Sequence, residues 1–167
     1  LRLQIPLANI PFCSDGTEMP NSYDLSDQMP PVGDQGLLGS CCAWATGYAV
    51  RSYLHARKEE FSFSPDENLY SQTFSPAFIY NQLNRGENKG VSFWDALDFL
   101  RDVGCVTMSD MPYNENDYLT KPSNDLIRKA GSFKIESWKQ INKGPNLIDI
   151  IKLQIYSGYP VIVGVNI

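Results

Sequence analysis

Histidine is nearly absent from this sequence and cysteine is scarce. Among 167 residues there are one histidine, His55, and four cysteines, at positions 13, 41, 42 and 105, with no C-x-x-C pair. A zinc site draws on several such ligands at suitable spacing, so neither a metal nor any other cofactor is implied. The irregular spacing is not that of a disulfide framework, and a Cys13–Cys105 bridge stays open. Cysteine usage alone leaves the compartment open as well. Basic runs are also missing: 14 Lys and Arg stand against 19 Asp and Glu, a net charge of −5. With no basic patch and no interleaved aromatics, nucleic acid is not the expected partner. No apolar run approaches the roughly 20 residues that span a bilayer. No signal peptide, internal repeat or low-complexity segment stands out. The first residue is Leu1 rather than Met, which reads as a processed or trimmed product.

What is present suits a globular chain, with 43% hydrophobic and 20% charged residues. Prolines 6, 11, 20, 30 and 31 make residues 1–32 an extended arm, because each fixes φ and removes a donor. A central helix is expected over 41–58. Its first half, to Val50, is apolar on nearly every face and should be buried, and its second half, from Arg51, should emerge to solvent. Gly47 within it marks a close contact. Ser75-Pro76 starts a second helix as N-cap and first-turn proline. Ser92 with Asp95 starts a third, carrying Trp94, Leu97, Leu100 and Val103 on one face and closed by Gly104. Residues 114–125 read as polar loop. Alternation over 132–138 predicts a strand, 147–156 a helix stopped at Gly158, and the β-branched run 160–167 a buried strand. Helices first and strands later give an α+β class.

The informative stretch is Pro31 to Trp44, P-V-G-D-Q-G-L-L-G-S-C-C-A-W. A loop delivers Cys41 to the first turn of the central helix, where free N–H groups and the helix dipole favour thiolate over thiol. The Gln35 side-chain amide and the Cys41 backbone N–H can together supply two donors to an oxyanion. A cysteine at such a place more often serves as a small buried hydrophobe, so the pattern as a whole, not the thiol alone, carries the chemical reading.

That pattern resembles the nucleophile segment of papain-family cysteine peptidases. The resemblance implies Cys41 as nucleophile and Gln35 as the oxyanion-hole glutamine. There are two departures: Leu38 stands where the family has a disulfide-forming cysteine, as in a bacterial-type variant, and Cys42 stands where it has tryptophan. Spacing from Gln35 favours Cys41 over Cys42. Asn88-Lys89-Gly90-Val91 resembles the segment whose backbone pairs with extended substrate, which makes Gly90 and Val91 candidate substrate contacts, although an ordinary turn would read the same way. Asp110-Met111-Pro112-Tyr113 resembles a structural turn of the family. The implied fold has two lobes. Residues 1–18 form an extension or propeptide tail, 19–131 a complete and mostly helical lobe, and 132–167 the start of a β-rich lobe. The implied partner is a polypeptide substrate or propeptide, in a secreted, periplasmic or lysosome-like setting.

A catalytic thiol works with a histidine base. His55 lies 14 residues after Cys41, about 21 Å along the same helix, and reads as a solvated surface residue. The family's His and Asn follow the nucleophile by roughly 130–150 residues, here about position 171 onward. They are therefore expected beyond residue 167, with the parent protein competent and the present chain alone not. The alternatives are a catalytically inactive module that binds peptide or protein, and a thiol amidase or acyltransferase.

Overall fold

The structure is a computed structural model that describes residues 20–64 and 69–165. Its axis is helix α1, which is continuous through Cys41–Ala43, Trp44–Arg51 and Ser52–Glu59 and takes π geometry in the middle segment. A short α2 (Leu69–Gln72) follows, then α3 (Pro76–Leu83), α4 (Phe93–Asp102), α5 (Asn124–Ala130) and α6 (Leu147–Tyr156). Helices α1, α3 and α4 pack on one another around a core that includes Ala43, Phe78, Ile79, Ala96 and Leu100. Gly47 marks the crossing of α1 and α3: a Cβ there would lie 2.5 Å from Ile79 Cδ1.

The helix starts follow their capping chemistry. Ser75 Oγ accepts from the Phe78 N–H and donates to the Met111 carbonyl, with Pro76 filling a first-turn position that needs no donor. Ser92 caps α4 in the same way through the Asp95 N–H. Gly104 ends α4 at φ +96°, its N–H donating to the Phe99 carbonyl. A Cβ at Gly104 would sit 2.0 Å from the Ala130 carbonyl oxygen. Helix α5 was not foreseen. Ser123 caps it through the Leu126 N–H, but it has only seven residues and buries only Ala130, too little for an apolar period to show.

Four expectations are corrected. First, the described residues contain no β-strand, only an isolated antiparallel bridge between Phe74 and Thr107. Residues 131–133 form a 3₁₀ turn, and the Ile135 N–H donates to the Leu100 carbonyl of α4 instead of to a strand. Residues 160–165 are not in a strand, and Val163 and Val165 are 64% and 74% exposed. A β-branched run becomes a strand only where a neighbouring chain takes its backbone bonds. The α+β reading therefore holds only in its helical part. Second, Arg51 does not emerge: it is buried, with its guanidinium 4.3 Å from the Phe74 ring centre and its Nε donating to the Phe133 carbonyl. Third, His55 is not a solvated surface residue but is half-buried, edge-on to Phe61, Phe74 and Phe133 at 5.4–5.8 Å. Fourth, Trp94 is 52% exposed, whereas Leu100 of the same expected face is buried, together with Ala96. Residues 1–18 and Cys13 lie outside the described residues, and with them the possible Cys13–Cys105 bridge.

Two stability outcomes follow. Gly104→Ala should cost about 2 kcal/mol or more, from left-handed strain plus the carbonyl clash. Gly131→Ala, with open space around its Cβ, should stay within about 0.5 kcal/mol of the parent. Urea denaturation compares them, and equal costs would remove the close-approach account of Gly104. Burial, followed by the Arg51 cation, holds the His55 imidazole below its ordinary value of 6.5. The unfolded chain then takes the proton first on acidification. This contribution is fully present above about pH 6.5 and is lost as the pH falls below it, until the folded imidazole is also protonated. Urea midpoints between pH 7.5 and 5.5 should fall in the parent and fall less in His55→Leu.

Candidate active site

Residues 31–40 run without regular structure into the first turn of α1, so their backbone groups are satisfied by side chains. Asp34 Oδ1 accepts the Gly36 N–H at 2.8 Å, and Glu115 Oε2 accepts the Leu37 N–H at 3.2 Å. Asn88 Oδ1 accepts the Gly39 N–H at 2.9 Å. The Tyr113 hydroxyl donates to the Gln35 carbonyl at 2.7 Å and lies 2.6 Å from Ser40 Oγ. Leu38 is buried in the core and pins the loop, while Leu37 points outward at 93% exposure. Tyr48 donates to the Pro31 carbonyl from the second turn of α1.

The loop ends at Cys41. The first helical bond runs from the Trp44 N–H to the Ser40 carbonyl, so the N–H groups of Cys41, Cys42 and Ala43 precede the ladder. The two adjacent thiols differ sharply. Cys41 is exposed and Cys42 is buried. Burial first, then the neighbouring Cys41, push the Cys42 thiol up to about 11. Cys105, wholly buried, is pushed up to about 12 by desolvation. The π segment starts three residues after Cys41, at Trp44, and the Thr46 hydroxyl donates to the Cys42 carbonyl at 2.7 Å. Wide-turn helices of this kind recur at functional sites.

Gln35 is held at both ends, with its backbone carbonyl on Tyr113 and its side-chain Nε2 donating to the Leu38 carbonyl at 3.0 Å. An amide nitrogen carries two protons, so one remains for a ligand. The structure also brings Gly90 to this loop. A Cβ at Gly39 would lie 2.9 Å from the Lys89 carbonyl carbon and 3.0 Å from the Gly90 nitrogen, so the two backbones touch and only glycine fits at 39. Gly90 is exposed with open space where a side chain would project. Val91 is half-buried and packs on the core. Asn88 joins the two segments, its Oδ1 also accepting from the Tyr80 hydroxyl at 3.1 Å. Three of the four expected residues, Gln35, Cys41 and Gly90, thus line one end of α1. His55 is not among them, because its aromatic neighbours hold it near the far end of the helix. Among the described residues no three His, Cys, Asp or Glu side chains gather into a metal-holding group.

Sequence reasoning missed the loop's supports. Tyr113, Glu115 and Asn88 lie 49–78 residues from the groups they hold, and no local spacing rule links them.

Neither family models nor curated proteins match this sequence. A solved structure does. The chain is similar to xylellain, a cysteine protease from Xylella fastidiosa, with a TM-score of 0.63 and 22% identity over 82% of this chain. The described residues share the fold of that protease. The likeness is one of fold, and the chain spans 57% of the length of that relative.

The contrast between the thiols is open to direct test. Brief iodoacetamide treatment of native protein at neutral pH, followed by peptide mass mapping, should modify Cys41 and leave Cys42 and Cys105 unmodified until denaturant is added. Equal native labelling of Cys41 and Cys42 would contradict the assigned burial.

Proposed function

We propose that the parent protein is a cysteine peptidase that cleaves peptide bonds through an acyl-enzyme on Cys41. One observation carries the reading: the only exposed thiol among the described residues stands on the first turn of α1, beside a loop whose glutamine keeps an unused amide proton. The Cys41 thiolate attacks the scissile carbonyl carbon, and a C–S bond forms as the carbonyl π pair moves to oxygen. That oxyanion lies between the Gln35 Nε2 and the Cys41 N–H, donors fixed before the charge develops. Collapse expels the amine, which takes a proton from a general acid, and water then hydrolyses the thioester to free acid and thiol. The acid and base role belongs to a histidine, oriented by an asparagine, outside these 167 residues, since His55 does not meet Cys41. The open flank at Gly90 suits an extended substrate backbone passing close to the loop.

A second reading is favoured by the position of His55. A chain without a base at Cys41 binds a peptide along the same flank without cleaving it. The two readings separate in full-length protein. Cys41→Ala should lower peptide hydrolysis by about 10³-fold or more, whereas Cys42→Ala should retain activity within a few-fold. Hydrolysis surviving Cys41→Ala sinks the peptidase assignment, and peptide binding without any turnover in the unaltered protein supports the binding module.

A further inference from the structure

We infer that Tyr113 is the positioning residue for both oxyanion donors, an inference that rests on the peptidase reading. Its phenol has one proton, which goes to the Gln35 carbonyl at 2.7 Å. Ser40, 2.6 Å away, must therefore be the donor in its own bond to the phenol oxygen. These two partners lie 78 and 73 residues before it in the chain.

The geometry of this double bond matters because of what each partner carries. Gln35 supplies the side-chain donor. Ser40 contributes the carbonyl half of the peptide unit whose N–H belongs to Cys41, the second donor. One hydroxyl thus fixes the separation between the two residues that define the oxyanion site. The ring itself is fixed edge-on to Trp44, centres 5.0 Å apart, three residues along α1 from the nucleophile. Ser40 is fully buried, so loss of the phenol hydroxyl takes away the partner its Oγ has in this interior. Gln35 Nε2 is already committed through one proton to Leu38 within the same loop. A shift of the Gln35 backbone therefore carries its remaining donor with it.

The hydrogen bonds of the Tyr113 hydroxyl run to Gln35 and Ser40, and it acts through those two residues. Removing its hydroxyl displaces donors that the tetrahedral intermediate needs, and leaves the thiol and the substrate-binding flank in place. A misplacement of about 1 Å at such a site costs about 100-fold in rate. The expected signature is a loss in kcat with KM nearly kept.

The test uses full-length protein with a peptide ester or amide substrate, a peptide aldehyde and iodoacetamide. The aldehyde forms a hemithioacetal whose oxygen occupies the oxyanion position. Alkylation by iodoacetamide develops no oxyanion. Tyr113→Phe should lower kcat by about 10- to 100-fold, leave KM within a few-fold, weaken aldehyde inhibition in proportion to kcat/KM, and leave the alkylation rate of Cys41 unchanged. In a Gln35→Ala background the same substitution should cost less, because only the donor set through Ser40 remains for it to act on. If Tyr113→Phe does not fold, Ser40→Ala removes one arm of the same bridge and should show the same pattern at smaller size. Unchanged kcat and aldehyde affinity overturn the inference, as does an equal loss in the Gln35→Ala background. Parallel falls in alkylation, aldehyde affinity and thermal midpoint also overturn it, in favour of a purely structural role. Absence of both hydrolysis and aldehyde binding in the unaltered protein overturns the peptidase reading itself, and this inference with it.

Discussion

A segment without helix or sheet has to find partners for its backbone one group at a time, and loop 34–40 is built around that requirement. Gly36, Leu37 and Gly39 each donate to a side-chain oxygen, from Asp34, Glu115 and Asn88 in turn. Tyr113 holds Gln35 and Ser40. Leu38 is the loop's one deep apolar anchor. The family resembled by this segment has a disulfide-forming cysteine at the place of Leu38. Here polar contacts from two directions, the 88–90 turn and the 113–115 segment, hold the loop without a covalent tie. Each exposed or half-buried bond of this kind contributes on the order of 1 kcal/mol, so it is the set rather than any single bond that holds the loop.

The helical half of the fold was readable because its signals are local. Ser-Pro and Ser-x-x-Asp starts, a glycine stop and an apolar period each act within a turn or two, and α3, α4 and α6 stand where those signals put them. The Pro31–Trp44 stretch was readable as a pattern, and the structure adds that Cys41 is the exposed thiol of the adjacent pair. The strands were misread because β-branched composition reports a preference, not a partner. The buried side of α1 was misread for a geometric reason. Facing rules assume 3.6 residues per turn, and Trp44–Arg51 hydrogen-bonds with the longer π step. Each residue of such a segment turns less about the axis than the rule expects, so the residues that follow fall behind the face it assigns them. Arg51 and His55 therefore face Phe74 and Phe133.

That second cluster gives the far end of α1 a character distinct from its Cys41 end. A guanidinium over one ring and an imidazole edge-on to three bring polar atoms inside without leaving the apolar surface. The Phe133 carbonyl takes the Arg51 Nε, which ties the end of the 131–133 turn to the central helix. Tyr53 does likewise for the end of α6, donating to the Gly158 carbonyl at 2.8 Å. Helix α1 is thereby fastened along its length to chain more than 80 residues away, and the thiol rests on a support fixed at both ends.

The sequence separation of the loop's supports sets the order in which the site is assembled. Cys41 and Gln35 are neighbours early in the chain, but the side chains that aim them arrive 49–78 residues later. Contacts that far apart close large loops and are made after the local helices form. A partly folded chain thus carries Cys41 on a short helix, with the loop of Gln35 not yet fixed beside it. The setting of Gln35 against Cys41 is therefore a property of the completed tertiary packing, not of the local segment that carries both residues.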